Sequence, residues 1–321
     1  MKPKVVIMVD VENWAWARKA QHLRRWLADD FNITIWYQKY GPVPAIFDLY
    51  HTFDFPNVTW VPAGKKCVTG ITAHVWPTWG ETKLRAWAER AEAIHTNSRL
   101  LEADMQPFAD ATRQGKVYYT PNGVCPEQFH RVSPRRTAGP FIVGHQGKPN
   151  PRKGSDVLRA AVDVAHRLGE DVEFRLLQKT SADALSAGGM LAWYQDLDLI
   201  LVASDMDGTP NPALEAAACE VAVLTNGIGN MPEFIEQGVN GWMIEGLEPF
   251  GFGRGPMPGR AVDQPDKTRL IFDYADQIIA AAKQRDVVHE MGRAARRTVL
   301  ADWTWEAQAE NYRTMWAEVL G

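Results

Sequence analysis

Two carboxylates, Asp207 and Glu215, stand with seven residues between them in Asp207-Gly208-Thr209-Pro210-Asn211-Pro212-Ala213-Leu214-Glu215. Asn211 is a good N-cap and Pro212 suits a first helical turn, so the pattern predicts a helix starting there. The apolar run Leu197–Ala203 before it reads as a strand, and ligands gather beyond the carboxyl ends of strands in open α/β sheets. A helix N-terminus offers unbonded backbone N–H groups and a partial positive charge, which suits a diphosphate. Asn211 and Gly208 belong to the same candidate donor loop. Glu215, one turn into the helix, can accept from a pair of ribose hydroxyls, and Asp207 from the hydroxyls of a sugar. Taken alone the two acids read as complementing the helix dipole and shaping a turn.

A second cluster is basic: Lys148, Arg152 and Lys153 in Gly147-Lys148-Pro149-Asn150-Pro151-Arg152-Lys153-Gly154. By itself such a loop is a solvated surface. Spacing and order give it meaning.

The text from Tyr194 to Ile244, with Asp198, Asp207, Glu215, Pro232-Glu233 and Asn240-Gly241, resembles the donor-binding half of family-4 retaining glycosyltransferases of the GT-B fold. The resemblance extends over about residues 117–321. It includes Pro121-Asn122-Gly123-Val124 with Phe129, and the terminal Asp302-Trp303-Thr304-Trp305 with Tyr312. It implies two cations on the diphosphate, Lys148 (where Arg is usual) and Lys153, with Arg152 as a substitute partner. It implies Glu215 on the ribose, and Asp207, where Glu is usual, on the sugar. Thr72-Ala73-His74-Val75-Trp76 resembles the His-bearing strand end that meets that sugar, which implies a catalytic set of His74, Asp207 and Lys153. The implied co-substrate is a UDP- or GDP-linked hexose, with no cofactor.

Asp205-Met206-Asp207 also fits the D-x-D of metal-dependent sugar transferases. Those carboxylates belong to another fold, and the Lys148/Lys153 pair already supplies the charge a metal would bring, so no metal is expected.

The family's glycine-rich loop after the first strand is replaced by Asp10-Val11-Glu12-Asn13-Trp14. Glu12, Asn13 and Trp14 are the acceptor-side candidates, although a helix cap is the first reading of Glu12 and Asn13. Arg18, His22 and Arg25 share a helical face with Lys19 and Arg24 beside it. Arg18, Lys19, Arg24 and Arg25 form a patch able to meet a nucleic acid, with a solvated face as the default. A lipid-linked glycan, a small metabolite, a protein side chain and a hydroxylated DNA base all suit the acceptor role. A non-catalytic nucleotide-sugar-binding module is the alternative, raised by Asp207 and the missing loop. A nicotinamide enzyme is disfavoured by the lack of G-x-G-x-x-G after Val9 or Val143.

Elements must position these groups. The 321 residues suffice for two domains, and 45% hydrophobic with 23% charged residues and a net charge of -4 describe a globular chain, not a general polyanion binder. Three scattered cysteines, Cys67, Cys125 and Cys219, argue against a disulfide framework or structural zinc and for a cytoplasmic setting. No run is long enough to span a membrane.

Strands are predicted at Lys4–Val9, Ile33–Tyr37, Val58–Val61, Cys67–Ala73 and Val117–Thr120, with helices at Trp14–Ala28 and Glu81–His95. Beyond the linker Ser133–Pro140 come strand Phe141–Gly144, helix Gly154–Leu168 and strands Val172–Leu177 and Leu197–Ala203. Helix Pro212–Cys219, strand Val221–Thr225, a short helix from Met231, strand Gly241–Ile244 and three closing helices follow. This alternation predicts two doubly wound parallel sheets of Rossmann type facing a cleft, residues 1–136 and 137–303, with a helix at about 304–321 returning to the first. Pro249–Lys267, rich in Gly and Pro, is a mobile lid or a disordered stretch.

Overall fold

The structure is a computed structural model that describes residues 1–12, 14–147, 151–178, 187–244 and 267–321. Asn13, Lys148 and nearly all of Pro249–Lys267 therefore lie outside the described residues.

Internal packing divides the chain into two units. The first comprises Met1–Gly123 and Trp305–Gly321; the described remainder of Val124–Thr304 forms the second. The break comes ahead of Ser133–Pro140 because that segment is tied into the second unit. Val124 N–H donates to the Trp303 carbonyl at 2.9 Å, and Arg136 donates to Asp198 at 3.0 Å.

In the first unit a six-stranded sheet runs β2-β1-β3-β4-β5-β6, all parallel. Its strands are β1 (Lys4–Val9), β2 (Asn32–Tyr37), β3 (Leu49–Thr52), β4 (Cys67–Ile71), β5 (Ala93–Thr96) and β6 (Val117–Tyr119). A parallel strand is covered on both faces, which is why Val5 through Val9 are all wholly buried. Helix α1 (Ala15–Leu27) turns Ala17, Ala20, Leu23 and Leu27 into that core. Helices α2 (Glu81–Ala88) and α3 (Arg99–Met105) flank the other strands.

Two expectations fail here. Val58–Val61 is mostly a 3₁₀ turn, with Pro56 near its start; the strand is Leu49–Thr52, whose polar His51 and Thr52 disguised it. The helical pattern over Glu81–His95 stops at Ala88, and Ala93–Thr96 is a central strand. A buried strand's unbroken apolar run looks the same as a buried helix over so short a span.

The second unit has a five-stranded parallel sheet, β11-β10-β9-β7-β8. Its strands are β7 (Phe141–Gly147), β8 (Val172–Gln178), β9 (Leu199–Val202), β10 (Ala222–Asn226) and β11 (Gly241–Ile244). The helices are α4 (Ser155–Arg167), α5 (Ala187–Gln195), α6 (Asn211–Ala218), α7 (Met231–Phe234), α8 (Lys267–Lys283) and α9 (Arg285–Asp302). The last helix, α10 (Trp305–Leu320), packs on α1 of the first unit, where the Tyr312 hydroxyl donates to the Thr120 carbonyl at 2.7 Å.

Each sheet reverses its winding once, between β1 and β3 in the first unit and between β7 and β9 in the second. Crevices open at such switch points beyond the strands' carboxyl ends. The loops after β1, β7 and β9 carry Glu12, Arg152, Lys153 and Asp207, while His74 follows β4 and Glu215 lies in α6.

Candidate functional site

The second unit's switch point is built from the loops after β7 and β9. Gly154 adopts φ +67°, and a Cβ there would lie 2.1 Å from the Ala203 carbonyl oxygen, so only glycine lets the two loops touch. Asp205 N–H donates to the Arg152 carbonyl at 2.8 Å and the Ser204 hydroxyl donates to it at 3.2 Å. The backbone of one loop thus fixes the other, and α4 begins immediately behind Lys153.

Across this seam the Lys153 ammonium donates to both carboxylate oxygens of Asp207, at 2.8 and 2.6 Å. Both side chains are half-buried. Behind them His145, on β7, is buried. Burial pushes its imidazole below the usual range, despite a hydrogen bond at 3.0 Å between its Nδ1 and the Leu201 carbonyl.

Gly208 forms the turn from Asp207 into α6, and its carbonyl accepts from Asn230 N–H at 2.9 Å. Helix α6 opens at Asn211 itself, with Pro212 in its first turn; the cap position is Pro210, which makes no side-chain cap hydrogen bond. Asn211 is therefore a first-turn residue and not the predicted N-cap. Glu215 is half-buried, and the wholly buried Tyr194 of α5 donates its hydroxyl proton to Glu215 Oε2 at 2.6 Å. The Tyr194 oxygen is also 2.6 Å from Gln146 Oε1 on β7. Sequence reasoning gave Tyr194 and Gln146 no role, because nothing in their spacing links them to Glu215.

The D-x-D residues part company. Asp207 faces Lys153, whereas Asp205 is half-buried and its carboxyl is pushed up to about 6, chiefly by burial. Among the described residues no three His, Cys, Asp or Glu side chains gather as metal ligands do. Arg152 is exposed and Lys148 lies outside the described residues.

In the first unit His74 follows β4 and is buried, with Nδ1 3.6 Å from Asp104 Oδ2. Trp76 Nε1 donates to the same carboxylate oxygen at 3.2 Å. His74 Nε2 has no hydrogen-bond partner among the described residues.

Glu12 and Trp14 lie at this unit's switch point, both exposed. Glu12 is not at the cap position of α1, which is Trp14 and makes no side-chain cap hydrogen bond; it pairs with Lys39 at 2.8 Å. The basic patch loses a member. Lys19 is buried, its ammonium 4.9 Å from the Phe53 ring centre and 5.2 Å from that of Tyr312. His22 stacks on Trp305 at 5.0 Å. Only Arg18, Arg24 and Arg25 face solvent, because α1 turns Lys19 toward the core with its neighbour Ala20.

Residues 128–253 match the protein family described as glycosyl transferases group 1. That segment holds β7 through β11 and every site residue of the second unit. The chain is similar to a D-inositol 3-phosphate glycosyltransferase of Kribbella flavida, with 26% identity over 178 residues, 54% of this chain and 35% of the relative. It thus spans about a third of that relative's length.

Over 99% of both chains it is similar in structure to a sucrose-phosphate synthase from Thermosynechococcus elongatus, with TM-score 0.73 and 13% identity. HepE of Anabaena, solved with UDP and glucose, is similar over 98% of this chain and 100% of its own, with TM-score 0.65 and 15% identity. These likenesses show the GT-B fold of two Rossmann-like parallel-sheet domains. Among the described residues no helix is long and apolar enough to cross a membrane.

Proposed function

We propose that this protein is an enzyme that transfers a hexose from a nucleoside-diphosphate sugar, UDP- or GDP-linked, to an acceptor hydroxyl with retention at the anomeric carbon. One observation carries the reading: the Lys153 ammonium is held at the switch point beside the N-terminus of α6, with the Tyr194-anchored Glu215 one turn along. The family match of this segment and the UDP in the HepE structure favour a UDP-linked donor.

In this reading Glu215 accepts from the ribose hydroxyls. The diphosphate rests on the first turn of α6, on Lys153 and on Lys148 or Arg152. An ammonium has three protons and Asp207 takes two, which leaves one for a phosphate oxygen. As the bond from the anomeric carbon to the phosphate oxygen breaks, its electron pair leaves with the diphosphate, and these fixed cations stabilise the added charge without a metal. The acceptor oxygen bonds to the same face, and its proton passes to the departing phosphate. Asp207 accepts from hydroxyls of the sugar; in the first unit His74 Nε2, without a hydrogen-bond partner among the described residues, suits a hydroxyl.

The test is a panel of nucleotide sugars incubated with the protein, with slow donor hydrolysis followed by chromatography and the anomer of any product by proton NMR. Hydrolysis of one donor, lost in Glu215→Ala, is expected. No hydrolysis with any donor, together with unchanged nucleotide binding in Glu215→Ala, overturns the enzyme reading.

A further inference from the structure

Glu215 is a carboxylate on a flexible side chain, and a buried phenol holds one of its oxygens. Tyr194 sits near the end of α5 and is wholly buried, with its ring edge-on to Phe129 at 5.9 Å and to Trp193 at 5.1 Å. Packed so tightly, its hydroxyl has one position. That oxygen is 2.6 Å from Glu215 Oε2 and 2.6 Å from Gln146 Oε1, yet a phenol has a single proton. The proton goes to the stronger acceptor, the carboxylate, in a short charge-assisted hydrogen bond.

We infer that Tyr194 is a positioning residue that locks the Glu215 carboxylate for a vicinal diol, so that the site selects ribonucleotides over 2′-deoxyribonucleotides. This rests on the ribose role proposed for Glu215. A vicinal diol presents two donors in a fixed relation. A carboxylate that rotates freely about its last bond must be ordered when the diol binds, whereas one anchored at Oε2 is ordered beforehand. Loss of the anchor therefore weakens the diol interaction and spares the rest of the nucleotide. A hydrogen bond to a charged group discriminates by about 10- to 100-fold, which sets the size of the effect.

The experiment is calorimetric titration of the full chain with UDP and 2′-deoxy-UDP, repeated with GDP and 2′-deoxy-GDP. Wild type is expected to prefer the ribonucleotide of its base by about tenfold or more. Tyr194→Phe keeps the ring contacts, and it is expected to reduce that preference to about threefold or less while affinity for the deoxy form changes less than about twofold. An equal loss for both forms, or an unchanged ratio, overturns the proposal. Glu215→Gln separates the two layers. If it retains the full ribose preference, the ribose reading of Glu215 fails and the role of Tyr194 with it. If it loses the preference while Tyr194→Phe keeps it, only the role of Tyr194 fails. A melting curve of Tyr194→Phe matching wild type shows that the fold is intact.

Discussion

Lys153 and Asp207 meet through two hydrogen bonds, at 2.8 and 2.6 Å, across the point where the second sheet reverses its winding. A cation and the acid proposed to hold the sugar are thereby fixed against each other, each orienting its neighbour. Lys153→Ala is expected to lower donor turnover by about 10²- to 10³-fold, the usual cost of removing one preorganised charge from a departing anion. Asp207→Asn keeps a partner for Lys153 but removes its charge, and is expected to reduce turnover more than UDP binding. Steady-state hydrolysis together with calorimetry separates the effects. Near-wild-type turnover in Lys153→Ala is the result that contradicts the site.

The seam beneath that pair depends on a missing side chain. Gly154→Ala forces φ +67° on a residue with a Cβ and drives that Cβ to 2.1 Å from the Ala203 carbonyl oxygen. Gly169, at φ +89° after α4, has nothing within 4 Å of a Cβ and serves as the control. Gly169→Ala carries only conformational strain of about 1–2 kcal/mol. Gly154→Ala is expected to lower the melting temperature further and, unlike the control, to weaken UDP binding by displacing Lys153.

Asp198 anchors the second unit from the residue before β9. It accepts from His289 at 2.9 Å, from the Ile142 N–H at 2.8 Å and from Arg136 at 3.0 Å. Burial works to raise its carboxyl, but the His289 and Ile142 hydrogen bonds, with Arg285 and Arg136 nearby, hold it below the ordinary aspartate value. The unfolded chain binds the proton more readily, so the stabilisation is complete above the unfolded value of about 3.9 and is lost as pH falls through the lower folded value. Asp198→Asn is expected to lower stability at pH 7 by about 3 kcal/mol or more, with little further loss on acidification. Melting curves at pH 7 and at stepwise lower pH check both parts.

Lys19 offers the opposite experiment in the first unit. Burial pushes its ammonium down to about 7, and no hydrogen-bond partner for Nζ exists among the described residues. Its folded value lies below the unfolded value of about 10.4, so the cost of burying it grows as pH falls through that interval and is complete below about 7. Lys19→Met is expected to stabilise the protein by about 1–4 kcal/mol at pH 6 and by less at pH 10. Melting curves at the two pH values decide it; a lower melting temperature at pH 6 shows that the ring contacts of Lys19 outweigh its desolvation.

The sequence by itself determined the alternation of elements, because periodicity and turn chemistry are local. Lys4–Val9, Met231–Phe234, Gly241–Ile244 and Trp305–Leu320 lie where the pattern puts them. It also singled out Asp207, Glu215 and Lys153, whose spacing is tied to one helix start and one loop. What sequence left undecided were relations between distant positions. Lys153 reaches Asp207 and Tyr194 reaches Glu215 only because parallel strands bring the loops after β7 and β9, and helices α5 and α6, to one end of the sheet. The direction of Lys19 was equally hidden. A basic residue beside an apolar stripe reads as surface until packing on Phe53 and Tyr312 turns it inward. Burial and partnership belong to the packed chain, and they assign each charged side chain to structure or to chemistry.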